Sequence, residues 1–235
     1  MSLSVVLTCY NEVPLVFNSY ERLASLMDLK GIEYEIIVVD DGSRMQDKEA
    51  LSNYFQNKPN TKLISMDTNE GRGAAVTKGI KAASKEYSGF IDTDLEIHED
   101  FIMDLYENLK SGSKDMVIGK RIYAWSWNPL AWIRYLASRT YFFIANALLK
   151  LSFLDTETGI KLFKRNKILP ILDHVQDKRW FWDTELISEC LLGNLKIYQI
   201  PVVVSKKQKK SSVRIFRDTI QYMRSLFRYR ARKNN

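Results

Sequence analysis

Three short segments carry most of the chemistry-bearing residues: Tyr10-Asn11-Glu12, Asp40-Asp41-Gly42 and Asp92-Thr93-Asp94. Carboxylates are hard oxygen donors, and Mg²⁺ or Mn²⁺ binds through one or two of them together with substrate phosphates. An Asp-x-Asp triplet alone is weak evidence, because acids in turns and at helix caps are common. Two acidic pairs that each follow an apolar run are stronger. A buried strand gains nothing from terminal carboxylates that repel one another, so their convergence points to a shared cation or to ribose hydroxyls.

The elements around these segments predict how they meet. Leu3 to Cys9 is short, apolar and β-branched, and Glu35 to Asp40 reads the same way before ending abruptly in acids and glycine. Lys62 to Ser65 and Tyr87 to Asp92 complete four strands. Helical spacing fills the intervals at 12–29, 46–57 and 72–84, with Val16, Tyr20, Leu23 and Leu26 on one stripe of the first helix. Strand–helix alternation predicts an α/β fold, a mostly parallel central sheet with helices on both faces. Ligands in such sheets bind beyond the carboxyl ends of the strands, where the three polar segments fall.

Beyond residue 98 the pattern becomes a helix at 100–109, a strand at 115–119, an aromatic stretch from Tyr123 to Trp132 and a helical segment at 130–150. Residues 180–192 read as helix and 196–204 as strand. No repeat or low-complexity linker interrupts the chain, so one domain over 1–204 is expected.

Charge separates the remainder. The net charge is +7, yet residues 205–235 hold eleven Lys/Arg and one acid, Asp218. Arg214, Arg217, Gln221, Arg224 and Arg228 recur at intervals of three and four, with Phe216, Ile220, Met223 and Phe227 on the other face. A basic amphipathic helix of this kind suits an anionic membrane surface. Docking on the core, a dimer contact and nucleic-acid binding compete with that reading, and nucleic acid is the one set aside. The aromatic residues Tyr123, Trp125, Trp127 and Trp132 suit the membrane interface. A bilayer-spanning helix needs about 20 apolar residues, and Thr140–Leu149, flanked by Arg139 and Lys150, is too short. Without a secretory leader in this sequence, a cytoplasmic, peripheral location is expected. Cys9 and Cys190 fit no metal spacing or disulfide framework and read as buried free thiols. His98 and His174 lack ligand spacing, and no nucleophile-elbow or Walker motif is present.

Taken in order, Thr8-Cys9-Tyr10-Asn11-Glu12, Val38-Val39-Asp40-Asp41-Gly42-Ser43, Asn69-Glu70-Gly71-Arg72-Gly73-Ala74-Ala75 and Asp92-Thr93-Asp94-Leu95 resemble glycosyltransferase family 2. The resemblance spans about residues 4–125 and implies the GT-A, nucleotide-diphospho-sugar-transferase-like fold. It implies that Tyr10 and Glu12 contact base and ribose, and that Asp40 holds the nucleoside. Thr8, Asp41 and Thr93 join the donor-binding set, and the Gly71-Arg72-Gly73 loop approaches the diphosphate. Asp92 and Asp94 become the Mg²⁺ or Mn²⁺ motif, with Glu96 a third candidate ligand.

The second half is similar to the polyprenyl-phosphate sugar synthases, which include dolichyl-phosphate mannose and glucose synthases. Gly119-Lys120-Arg121, Arg134 with Ser138, Asp155 to Phe163 and Trp182-Asp183-Thr184-Glu185-Leu186 carry that similarity. It implies that Arg121, Arg134 and Ser138 surround an acceptor phosphate, and that Lys209, Lys210 and Arg214 lie near the donor diphosphate. The expected reaction is inverting transfer of one sugar from a nucleoside diphosphate (GDP-mannose or UDP-glucose type) to a polyprenyl phosphate. A hydroxyl acceptor would instead need a carboxylate base, with Asp183 or Glu185 as first candidates. A nucleotidyltransferase and a non-catalytic binding module are the remaining alternatives.

Overall fold

The computed structural model describes residues 2–123, 129–205 and 215–234; the side chains of 123, 129–135, 137, 215–219 and 234 lie outside that description. Seven strands, β1 (Ser2–Cys9), β2 (Glu33–Asp40), β3 (Thr61–Ser65), β4 (Tyr87–Ile91), β5 (Met116–Tyr123), β6 (Ile160–Lys164) and β7 (Ile197–Val204), form one sheet. Eight helices accompany them: α1 (Val13–Leu29), α2 (Met45–Phe55), α3 (Arg72–Ala82), α4 (Phe101–Lys110), α5 (Pro129–Leu149), α6 (Arg165–Leu172), α7 (Trp182–Leu192) and α8 (Ile215–Asn234).

The strand order is β3-β2-β1-β4-β6-β5-β7. β1, β2, β3 and β4 run parallel, with Cys9 opposite Asp40 and Val6 opposite Phe90. β6 is antiparallel to both β4 and β5, and β5 is parallel to β7. The α/β, mostly parallel arrangement agrees with the sequence expectation. The pair β6 and α6 was not foreseen. Ile160-Lys161-Leu162-Phe163-Lys164 is short and carries two lysines, so its apolar pattern does not announce a buried strand.

Two apolar cores explain why the strands are buried on both faces. One packs α1, α2 and α4 against the sheet through residues such as Val16, Leu51 and Leu105. The other packs α3, α5, α6, α7 and α8 through Val76, Tyr141, Ile168, Leu186 and Leu226.

The antiparallel strand matters for the site. Ile160 pairs with Ile91, so the N-terminal end of β6 arrives at the carboxyl edge of β4. Because β6 is antiparallel to both neighbours, β5 points the same way as β4 and delivers Arg121 to that edge as well. Among the described residues, no helix is long and apolar enough to cross a membrane.

Candidate active site

The loops at this edge are tied together. The Asn11 N–H donates to Ser43 Oγ (2.9 Å), and Asn11 Oδ1 accepts from the Arg44 N–H (3.0 Å). Asn11 sits at φ 55, a conformation asparagine tolerates. The β1–α1 and β2–α2 loops are thereby joined, leaving Tyr10 48% exposed beside them and Glu12 exposed at the start of α1. Asp40 is fully buried; one oxygen accepts from the Ser43 N–H (3.0 Å) and the other, Oδ2, has no hydrogen-bond partner. Such an orphaned acceptor is costly without a donor.

Asp41 and Thr93 serve the frame. Asp41 accepts from the Glu70 N–H (2.8 Å), the Gly71 N–H (3.0 Å) and Asn69 Nδ2 (3.0 Å), clamping the loop before α3. Burial raises its carboxyl above the ordinary range, and those backbone N–H groups pull it back. Gly71 has φ 115 there, and a Cβ would stand 2.4 Å from the Lys178 carbonyl oxygen. Thr93 Oγ1 donates to the Thr8 carbonyl (2.6 Å), while the Thr93 carbonyl accepts from Ser19 Oγ (2.5 Å). The Asp92–Asp94 turn is thus pinned to β1 and α1, with Thr8 participating through its backbone.

Around Asp92 lies a chain of buried charges. Arg72 donates from Nε (2.9 Å) and Nη2 (2.5 Å) to Asp92 Oδ1, and from Nη1 to Asp183 Oδ2 (2.7 Å). Asp183 Oδ1 accepts from Lys161 Nζ (2.7 Å), which also donates to the Thr158 carbonyl (2.6 Å). Burial disfavours the Arg72 charge, yet Asp183 and Asp92 outweigh it and hold its pKa above the ordinary value. Burial pulls Lys161 below its ordinary range, against the attraction of Asp183. Lys161 went unassigned in the sequence; the signal was a lysine inside an apolar run, which demands a buried counter-charge.

Asp92 Oδ2 borders Gly159, where a Cβ would fall 2.2 Å from that oxygen. An open cleft of ≈ 470 Å³ is lined here by Asp92, Asp94, Glu96, Arg121, Glu157 and Gly159. Among the described residues no three His, Cys, Asp or Glu side chains gather as a metal cage. Two carboxylates, Asp92 and Asp94, on a cleft kept open by a glycine fit a cation that enters mainly on substrate oxygens.

On the wall of the same cleft, Arg121 donates from Nε (2.9 Å) and Nη2 (2.8 Å) to Asp155 in a two-pronged pair. Arg121 Nη2 also donates to Glu157 (3.1 Å), which accepts from Ser138 Oγ (3.0 Å). Ser138 and Arg121, far apart in sequence, thus share Glu157 as acceptor. The Arg134 side chain, Lys209 and Arg214 lie outside the described residues. Asp183 joins Asp92 rather than this group. Glu185 is directed elsewhere, accepting from the Asp177 N–H (2.7 Å) and from Arg232 on α8.

Glycosyltransferase AglD of Haloferax volcanii is 27% identical over 209 residues, covering 86% of this chain and 33% of that protein. A dolichyl-phosphate beta-glucosyltransferase of Dictyostelium discoideum is 26% identical, covering 98% of this chain and 74% of that protein. The chain thus spans about a third of the first relative and about three quarters of the second. Glucosyl-3-phosphoglycerate synthase of Mycobacterium tuberculosis, solved with Mn²⁺, UDP and glucosyl-3-phosphoglycerate, has the same fold at TM-score 0.71 and 18% identity, covering 97% of this chain and 79% of that one. The model of the glycosyl transferase family 2 matches residues 4–169, well over half the sequence, and the chain belongs to that family.

Proposed function

We propose that this family 2 glycosyltransferase moves a single sugar, with inversion, from a nucleoside diphosphate to a polyprenyl phosphate at the cytoplasmic face of a membrane. The observation that carries the reading is one cleft lined by Asp92, Asp94 and Arg121, with Ser138 hydrogen-bonded to Glu157 on its wall. Dolichyl-phosphate acceptors appear in the names of relatives from Dictyostelium discoideum and Saccharomyces cerevisiae, the latter 24% identical. A UDP-glucose complex of the mycobacterial structural relative supports a nucleotide-sugar donor.

In this reading Tyr10 and Glu12 contact the base and ribose, and Asp40 helps to hold the nucleoside. Asp92 and Asp94 hold Mg²⁺ or Mn²⁺, which when bound supplies charge stabilisation to the diphosphate. Arg121 and Ser138 orient the acceptor phosphate, with Arg134, Lys209 and Arg214 supplying further positive charge. An acceptor phosphate oxygen attacks the anomeric carbon as the bond to the diphosphate oxygen breaks, and the nucleoside diphosphate departs. Phosphate is already ionised near neutral pH, so no protein base is required. Residues 205–235, with their eleven Lys/Arg, would meet an anionic surface, where each close cation contributes about 1 kcal/mol. Ile220 and Phe227 of α8, both exposed, would add apolar contact to such a surface.

One observation favours a second reading. Glu157 lines the cleft beside Ser138, where a carboxylate could accept a proton from a sugar or glycerate hydroxyl. Radiolabelled sugar from a donor panel, offered with polyprenyl phosphate and Mn²⁺, separates the two. Label in the organic phase that disappears in Asp94→Ala and Arg134→Ala supports the lipid phosphate. Donor consumption with no lipid label overturns it in favour of a hydroxyl acceptor.

A further inference from the structure

Lys161 and Asp183 take no part in the steps above, yet the fold buries both. The Lys161 side chain is 0% exposed and that of Asp183 is 8% exposed. The charges alternate along the row Lys161, Asp183, Arg72, Asp92, and each inner member contacts both of its neighbours. Burying such ions costs several kcal/mol apiece, and well-packed apolar residues would commonly be as stable. Stability is therefore a poor reason for the row, and geometry a better one.

A guanidinium is planar, so fixing one of its nitrogens limits where the others point. Asp183 holds Nη1 of Arg72, and the Nε and Nη2 edge then meets a single oxygen of Asp92, Oδ1. The remaining oxygen, Oδ2, is the one facing Gly159, whose missing Cβ leaves it room. Lys161 supplies the counter-charge that lets Asp183 stay in this apolar setting beside Trp182 and Phe90, with its ammonium 5.2 Å from the Phe90 ring centroid. We infer that Lys161 and Asp183 are positioning residues, which aim Arg72 at one oxygen of Asp92 and so reserve the other for the cation that accompanies the nucleoside diphosphate. The inference rests on the nucleotide-sugar reading of the cleft. It also removes Asp183 as a catalytic base, since both of its oxygens are engaged inside the protein rather than facing an acceptor.

The test measures Mn²⁺ binding by the whole chain in the presence of UDP, and then GDP, by titration calorimetry alongside thermal melting. Outer partners of metal ligands typically change affinity by roughly 10- to 100-fold. Lys161→Met and Asp183→Asn are each expected to weaken Mn²⁺ binding by about that factor while nucleotide alone binds as in the parent. The double variant Lys161→Met/Asp183→Asn removes both charges and is expected to melt closer to the parent than either single variant, without recovering Mn²⁺ affinity. Recovery of affinity together with stability would reduce the pair to a structural role. Parental Mn²⁺ affinity in Asp183→Asn with transfer abolished would restore Asp183 as a base and overturn the inference. If the parent binds no Mn²⁺ with either nucleotide, the donor reading fails first and takes this inference with it.

Discussion

Gly159 determines how much room Asp92 has. An alanine there would put a methyl carbon 2.2 Å from Asp92 Oδ2, so either the carboxylate or β6 must shift. Misplacing a group by about 1 Å can cost on the order of 100-fold in rate. Gly159→Ala is accordingly expected to lose sugar transfer by about that factor, with a much smaller change in melting temperature, measured by initial rates and calorimetry. Asp41 illustrates the opposite case, a motif acid whose oxygens are taken up by the loop before α3. Asp41→Ala would leave the Glu70 and Gly71 N–H groups without their acceptor. Losing such a partner costs about 1–3 kcal/mol, and urea unfolding should show that loss together with a weaker KM for the donor. Both residues stood in recognisable motifs, but their roles differ because of what their oxygens and neighbours touch. Sequence identifies a carboxylate; it does not say which N–H groups have already claimed it.

At the scale of elements, α8 shows how one helix divides its apolar residues between core and surface. The sequence pattern put Phe216, Ile220, Met223 and Phe227 on the apolar side. Of these, Met223 packs against the core beside the buried Leu226 and Tyr229, while Ile220 and Phe227 remain 53% and 54% exposed; the Phe216 side chain lies outside the described residues. The reason lies on α7, which presents acids to this helix. Tyr229 Oη donates to Glu189 Oε1 and shares a hydrogen bond with Ser188 Oγ (both 2.9 Å), Lys233 pairs with Glu189 and Arg232 with Glu185. Tyr222 adds an edge contact with Tyr141 of α5, ring centroids 5.1 Å apart. Tyrosines count as half-polar in a periodicity, so the side that docks through them is overlooked. Leu226→Ala should therefore cost about 2–5 kcal/mol, and Phe227→Ala well under about 1 kcal/mol, by urea unfolding of the full chain. The reverse ranking would mean that Phe227, not Leu226, is the residue that α8 docks through.

For the whole molecule, the two thiols report on the cores from which the sheet is built. Cys9 and Cys190 are both buried and unpaired. Burial, aided by nearby Asp40, pushes the Cys9 thiol from 9.0 up to about 11, against a lowering backbone hydrogen bond at Glu12. Burial likewise raises Cys190. A thiol whose folded pKa is raised contributes stability below its unfolded pKa and loses it as pH rises through the folded value. Melting temperature should fall between pH 9.0 and about 11, and Cys9→Ala should flatten part of that fall. Near pH 8 a thiol reagent should label neither cysteine in the folded chain and both after denaturation; rapid native labelling would contradict the two-core arrangement. The sequence by itself determined the parallel half of this sheet, because buried strands, amphipathic helices and strand-end acids are local patterns that repeat within about 30 residues. It also determined the family, since the motifs from Thr8 to Asp94 fall in order along that half. Only the tertiary structure decided that β6 enters between β4 and β5, that Gly159 therefore meets Asp92, and that Lys161, Asp183 and Arg72 line up behind it. Those contacts join residues up to 111 positions apart, and a pairing between charges on separate elements leaves no periodicity along the chain to be read.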